Sequence, residues 1–306
     1  MDRNLDSVER TIIVELSRNS RLLYTALAKK CGVSTVTVRK KLRELTICGV
    51  INLRVISDYQ KLGYQTTAFI GLNVRPNAMT PVLATLEGMA NIPYLILTAG
   101  RYNVLLLAIY ESPSALSNFV EKELSQLDGI LRTETLISLK VIKRPWDDLL
   151  QPGSLRTSID VLDKQIISAL GHDVRLSYAK IARKVGASVP TVRQRLGRLV
   201  DEGVVGFSLF YYSPQMGPQG MAVMGLRVRP SRLQEVQNYL HQKPEVRYMA
   251  LTAGRYDFMM IMSFKTAADL AKFLRSDLAS FDGIEQVETF TTLEMVKRSF
   301  TELFQP

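Results

Sequence analysis

An offset of 154 residues constrains this chain more than any other feature: the run LTAGRYN at 97–103 returns as LTAGRYD at 251–257. The same offset carries Asp6 to Asp160, Arg21 to Arg175, Gly32 to Gly186, Ser34 to Ser188 and Thr37-Val38-Arg39 to Thr191-Val192-Arg193. It also carries Gly49 to Gly203, Gly71 to Gly225, Asp128-Gly129-Ile130 to Asp282-Gly283-Ile284 and Lys143-Arg144 to Lys297-Arg298. No gap is needed from residue 5 to 144, so one folding plan is written twice. Any functional reading must account for both copies. Half of a 306-residue chain is long enough to hold more than one small core, so four small domains are expected.

Net charge becomes informative once it is located. Residues 1–55 hold 11 Lys and Arg against 5 Asp and Glu, and residues 156–206 hold 9 against 5, whereas the remaining 19 and 19 cancel. The whole excess of +10 therefore sits in the first third of each copy. That is the footprint of a phosphate-binding module attached to a neutral partner domain. No apolar run reaches the ~18 residues that a membrane span needs, so no membrane partner is expected. The start, MDRNLDSVER, lacks the apolar core of a secretory signal. Cys31 and Cys48 face Val185 and Glu202 in the second copy, so neither a structural disulfide nor a metal site is expected, and a cytoplasmic location fits.

Within the basic thirds, Val8, Ile12, Ile13 and Leu16 recur at helical spacing, and a second short helix runs from about Tyr24 to Lys30 and stops at Gly32. After the turn CGV, Ser34 is a natural N-cap for TVTVRKKLREL, whose Val38, Leu42 and Leu45 share one face. Helix, tight turn and basic third helix make a helix-turn-helix pattern, repeated in LSYAKIARKVGASVPTVRQRLGRLVDEGVV. A charged helix face can also be merely solvated, or part of a docking module; two matched copies holding all the net charge favour double-stranded DNA as the partner. Groove contacts are expected from Thr35, Thr37, Arg39 and Lys40, and from Val189, Thr191, Arg193 and Gln194. Lys41, Arg43, Arg195 and Arg198 are expected at phosphates, and Ser34 and Ser188, which cap the two helices, are counted among the DNA-binding residues. Most of these positions differ between copies, so a paired site would have unequal half-sites.

The periodicity then changes. TTAFIGLNV, YLILT, VLLLAIY and ILRTETLISLKVI read as strands, interrupted by a helix from Thr80-Pro81 and another over SPSALSNFVEKELSQL. Strand, helix, strand, strand, helix, strand is the ferredoxin-like βαββαβ plan, and the second copy matches it. One sheet face is covered by two helices, and the other wants a partner, for which the second copy is a candidate. The expected class is α+β: two tandem winged-type helix-turn-helix units, over 1–55 and 156–206, each followed by a βαββαβ domain, over 66–146 and 219–302.

The run CGVSTVTVRKKLRELTICGVI, an extended linker, GRYN or GRYD in a central hairpin and DGI before the last strand together resemble the Lrp/AsnC family of leucine-responsive regulators. The resemblance covers nearly the whole chain, twice. It implies a transcriptional regulator whose αβ (RAM or ACT-like) domains form homo-oligomers and sense an amino acid or related small metabolite at their contacts. Members usually carry one such unit, so a chain with two resembles a covalently linked pseudo-dimer. On this resemblance Gly100, Arg101, Tyr102, Asn103, Thr133 and Thr135, with Gly254, Arg255, Tyr256, Asp257, Thr289 and Thr291, line effector sites. Arg101 and Arg255 would take a ligand carboxylate, and Asp257 an ammonium that Asn103 cannot match. The glycines could equally supply only a tight turn, and the tyrosines only packing.

Two other readings stay open. One is an architectural DNA-organising protein without an effector. The other is an enzyme, because sirohaem decarboxylases share the architecture; that activity implies histidines near the hairpin, whereas His172 and His241 lie elsewhere, each at the end of a helix. No Ser/His/Asp set, Gly-rich phosphate loop or metal-ligand spacing occurs, and no cofactor is expected.

Overall fold

The computed structural model describes residues 5–145, 147, 150, 158–211 and 220–298. Contacts gather the four expected segments pairwise into two units: one within Met1–Leu62 and Asp148–Gly217, the other within Gly63–Asp147 and Pro218–Leu303. The joining run from Arg144 to Ser158 lies largely outside the described residues.

The first unit holds two three-helix heads. In the first, α1 (Ser7–Arg18), α2 (Tyr24–Cys31) and α3 (Thr35–Ile47) are followed by β1 (Ile51–Ser57). Asp6 caps α1 by accepting from the Glu9 N–H, and Glu9 returns the bond to the Asp6 N–H. Gly32 ends α2 at φ 63°, a left-handed conformation that side chains with a Cβ rarely adopt. Ile12, Leu16, Leu27, Val38, Leu42 and Leu45 form the buried core. The order repeats in α6 (Val161–His172), α7 (Tyr178–Val185), α8 (Val189–Asp201) and β6 (Val205–Tyr211).

The two heads form one body. β1 pairs antiparallel with β6 from Ile51↔Tyr211 to Ser57↔Val205, and Leu209 of β6 packs on the first head's core. Equivalent arginines lock the joint: Arg21 Nη2 donates to the Leu176 carbonyl at 2.9 Å, while Arg175 donates to those of Ser20 and Leu22 at 3.1 and 2.7 Å.

In the second unit, β2 (Thr66–Val74), α4 (Met79–Glu87), β3 (Tyr94–Ala99), β4 (Val104–Tyr110), α5 (Pro113–Asn118) and β5 (Ile130–Lys143) form the first αβ copy. The second comprises β7 (Gly220–Val228), α9 (Leu233–Gln242), β8 (Val246–Ala253), β9 (Phe258–Phe264), α10 (Ala267–Lys272) and β10 (Ile284–Arg298). Each copy makes a four-stranded antiparallel sheet, and β5–β8 and β10–β3 seams close all eight strands into a barrel. The sheet face that lacked helices thus finds its partner in the same chain: Phe69, Tyr94 and Leu107 share one core with Tyr248, Met259 and Phe290. Lysines of the last strands staple the arrangement. Lys143 Nζ reaches the His241 and Lys243 carbonyls at the end of α9, and Lys297 Nζ those of Glu87 and Met89 at the end of α4.

The helix expected over SPSALSNFVEKELSQL is not regular. Beyond α5 it widens into a turn over Phe119–Glu123, closed by the Leu124 N–H on the Phe119 carbonyl, then tightens over Leu124–Gln126. The wide turn brings Phe119 and Leu124, five positions apart and both buried, onto the sheet.

Candidate functional site

Two third helices carry the basic surface. Ser34 accepts from the Thr37 N–H at 3.1 Å and shares a hydroxyl contact with Thr37 Oγ1 at 2.8 Å; Ser188 and Thr191 repeat both at 3.2 and 2.7 Å. These four side chains are thus engaged in capping. Thr35 is half-buried, whereas Arg39, Lys40 and Arg43 are exposed on α3, and Val189, Arg193 and Gln194 on α8. Arg39 lies 4.9 Å from the Tyr24 ring centroid and Arg193 5.5 Å from that of Tyr178, so each outward guanidinium rests on an aromatic of the preceding helix.

Three cations expected at phosphates are placed differently. Lys41 bonds Asp6 and approaches Glu9 at 3.8 Å. Arg195 bonds Asp160 and lies 3.3 Å from Asp163, to which Arg198 donates at 2.5 Å. Hydrogen bonds from Lys41 and Arg195 hold the Asp6 and Asp160 carboxyls below their ordinary range. The reason is local: Glu9 and Asp163 at the starts of the two first helices are buried, a buried carboxylate needs a charge partner, and the third helix supplies it. Of the four expected phosphate contacts, Arg43 alone is exposed, the others being half-buried.

The repeated hairpin builds the second cluster. Gly100 and Gly254 take φ 141° and 131°, and a Cβ there would meet Phe290 at 3.3 Å and Leu136 at 2.9 Å, side chains of the opposite copy. Both demands explain the glycines. Tyr102 and Tyr256 turn inward and are buried, each ring lying flat over a strand glycine, Gly71 or Gly225. The Tyr102 hydroxyl donates to Glu134 Oε2 at 2.6 Å, and Arg255 of the other copy donates to Glu134 Oε1 at 2.9 Å. The mirror set joins Tyr256 and Arg101 on Glu288, with Arg101 Nε at 3.0 Å. Burial, then the glutamate contacts, push both phenols above their ordinary value. Burial works to raise the Glu134 carboxyl, but the bonds from Tyr102 and Arg255 outweigh it and hold it low.

This network includes two residues that the sequence reading passed over. Glu134 stands between the expected Thr133 and Thr135, and Glu288 immediately precedes Thr289. Pairing registers place Glu134 opposite Gly71 but Thr133 and Thr135 opposite Leu72 and Ile70, whose side chains belong to the helix-covered core. Strand alternation therefore sends both threonines to the face away from the hairpin. Thr289 and Thr291 alternate in the same way with Glu288 and inward Phe290. Asn103 and Asp257 do not face the cluster either: Asn103 exchanges bonds of 2.9 and 2.7 Å with the Val74 backbone, and Asp257 Oδ2 accepts from the Val228 N–H at 2.8 Å. Both fasten the hairpin to the preceding strand. The signal that could have found the glutamates was the offset itself, which carries Glu134 to Glu288.

Among described residues, no cluster of three or more His, Cys, Asp and Glu could hold a metal, and no helix is long and apolar enough to cross a membrane. The His241 carbonyl receives Lys143, while the His172 side chain lies outside the described residues.

Comparison with known proteins follows this division. The profile of the Lrp/AsnC ligand binding domain matches residues 67–145 and 221–301, and that of the AsnC-type helix-turn-helix domain matches 159–200. An uncharacterised HTH-type transcriptional regulator of Pyrococcus furiosus is 34% identical over 143 residues, 46% of this chain and 96% of that protein. The HTH-type transcriptional regulator Ptr1 of Methanocaldococcus jannaschii is 33% identical over 117 residues, 38% of this chain and 79% of its own. A solved sirohaem decarboxylase, NirDL, in co-complex with an iron-uroporphyrin III analogue, superposes with a TM-score of 0.68 over 97% of this chain and 95% of its own. At 16% identity that likeness concerns the fold alone.

Proposed function

This chain belongs to the Lrp/AsnC family, and from that premise we propose that it is a DNA-binding transcriptional regulator in which one chain supplies both heads of a dimeric reader. The observation that carries the reading is the β1–β6 ribbon, which joins two three-helix heads through equivalent strands. The helix-turn-helix match falls on the second head; the first repeats its caps, its αL glycine and its exposed arginine, which supports the same role there. Arg39 with Lys40, and Arg193 with Gln194, are the residues proposed to face the groove, on half-sites ~34 Å apart or a multiple of it. Lysine in one head and glutamine in the other make the half-sites unequal.

The effector is proposed to be an amino acid or related carboxylate acting at the hairpin seams. Arg101 and Arg255 already hold Glu288 and Glu134. Each glutamate is held through the arginine Nε; a ligand carboxylate that takes the guanidinium bidentately through Nε and Nη displaces that glutamate and loosens the cross-copy tie. Effector and DNA are then coupled by the difference in effector affinity between tied and loosened arrangements. Further association through αβ domains would add more heads.

The sirohaem decarboxylase reading rests on shared fold, and the hairpins present tyrosine and arginine, against glutamates of the last strands, rather than histidine. Retention of random duplex DNA at two salt concentrations, with and without mixed amino acids, followed by sequencing, tests the proposal. A selected paired motif whose occupancy responds to the mixture is expected. Salt-sensitive retention without a motif would turn the reading to an architectural role, and no retention would remove it.

A further inference from the structure

Between the heads lies a cleft of about 390 Å³ that the reading above does not use. Tyr24 and Tyr178 form walls from equivalent helices of the two copies, and Leu23 and Leu176 add apolar surface. Arg21, Arg39, Arg175 and Lys180 line it against one carboxylate, Asp173, leaving three uncompensated positive charges in a partly apolar recess.

These cations are held together at a cost. Arg175 stacks 4.3 Å from the Tyr24 centroid, on the ring that also supports Arg39, and Arg21 stacks 5.6 Å from that of Tyr178. Two Arg175 nitrogens donate to carbonyls of the first head, whereas its Nε is buried with no hydrogen-bond partner among the described residues. Burial depresses the Arg21 guanidinium and neighbouring Arg175 adds to the effect. Like charges gathered in an apolar recess, one with a buried donor unused, are relieved by an anion. Guanidinium forks match phosphate oxygens, and the recess exceeds the size of a single inorganic ion.

We propose that this cleft is a phosphate-binding site at the joint between the two heads. Its phosphate comes either from the backbone of DNA lying across both heads or from a free phosphorylated compound. Because Arg39 forms part of both the cleft lining and the exposed face of α3, occupancy bears directly on the reading surface. The site itself does not depend on the heads binding DNA.

Calorimetric titration of the full chain with inorganic pyrophosphate tests it. One site per chain is expected, weakened roughly tenfold in Lys180→Gln, the loss of about one charge-assisted contact. The control is Lys184→Gln, an exposed lysine of the same helix that does not line the cleft, and it is expected to leave binding unchanged. No binding, or equal weakening in both variants, overturns the proposal. Repeating the titration on chain saturated with duplex DNA separates the sources: loss of pyrophosphate binding identifies the DNA backbone as occupant, and unchanged binding identifies a free compound. Failure of the regulator reading shows instead as no DNA binding at all, with the pyrophosphate result unaffected.

Discussion

Arg255 Nε lies 2.9 Å from Glu134 Oε1, and the two residues belong to different copies of the repeat. With Tyr102 on the other carboxylate oxygen, one glutamate ties the hairpin of its own copy to that of the other. The mirror set on Glu288 makes two ties across one barrel.

Glu134→Gln weakens both bonds at once. The expected loss is ~1–3 kcal/mol in urea unfolding, the range for hydrogen bonds to charged groups in partly buried positions. A double-mutant cycle with Arg255→Gln is expected to return a non-zero coupling between the two residues. Additive losses would mean that the cross-copy contact does not hold the barrel.

Gly71 offers a steric test. A Cβ there would lie 2.5 Å from the Tyr102 ring, which packs between Gly71 and Phe290 and cannot swing away. Gly71→Ala is expected to cost ~1–3 kcal/mol, as overpacking does, and to shift the near-ultraviolet tyrosine signal. Gly225→Ala is its counterpart against Tyr256. Unchanged stability in both variants would show that the rings have room.

Both features bear on what could be read beforehand. The offset marked Gly71, Gly100 and Tyr102, because a repeated glycine or aromatic stands out in a strand context. It marked Glu134 equally, yet a glutamate in an amphipathic strand reads as solvent-facing, and its arginine is 121 residues away in the chain. That Thr133 and Thr135 stand on the opposite strand face from Glu134 shows only in a pairing register. The ion pairs of Lys41 and Arg195 are hidden for a related reason: a basic third helix looks uniform in sequence, and only the packing of the first helix shows which cations its capping carboxylates hold. The strand and helix order needed no tertiary knowledge, because strict periodicities carried it.

Ionisation follows from the same contacts. Tyr102, Tyr110 and Tyr256 are pushed above their ordinary range, chiefly by burial. Their folded values exceed the unfolded ones, so their contribution to stability is fully present below pH ~10 and is lost progressively above it, where the unfolded phenols ionise first. These three are expected to stay protonated in an absorbance titration until the chain unfolds in alkali. Full titration near pH 10 with far-ultraviolet dichroism intact would contradict their burial.

At the acid end the sign reverses. Asp6, Glu134, Asp160 and Asp277 have lowered carboxyl values, with cation contacts on each. Their stabilisation is present above the unfolded value of ~4 and is lost as pH falls through the folded values. Unfolding free energy is therefore expected to drop below about pH 4, and less steeply in Asp160→Asn. Identical acid profiles for wild type and variant would remove Asp160 from the account.

The third helices permit a separation of roles on one surface. Arg43 is exposed, whereas Lys41, two residues away, is bonded to Asp6. Arg43→Ala is expected to weaken DNA binding similarly for all sequences and reduce the slope of log affinity against log salt by about 1, with melting unchanged. Lys41→Ala is expected to lower stability by ~0.5–1 kcal/mol, as loss of a partly exposed ion pair does, and to leave that slope nearly intact. Fluorescence anisotropy over a salt series, with thermal melts of both variants, measures the two effects independently. The opposite pattern would make Lys41 the phosphate contact and leave the first helix capped without it.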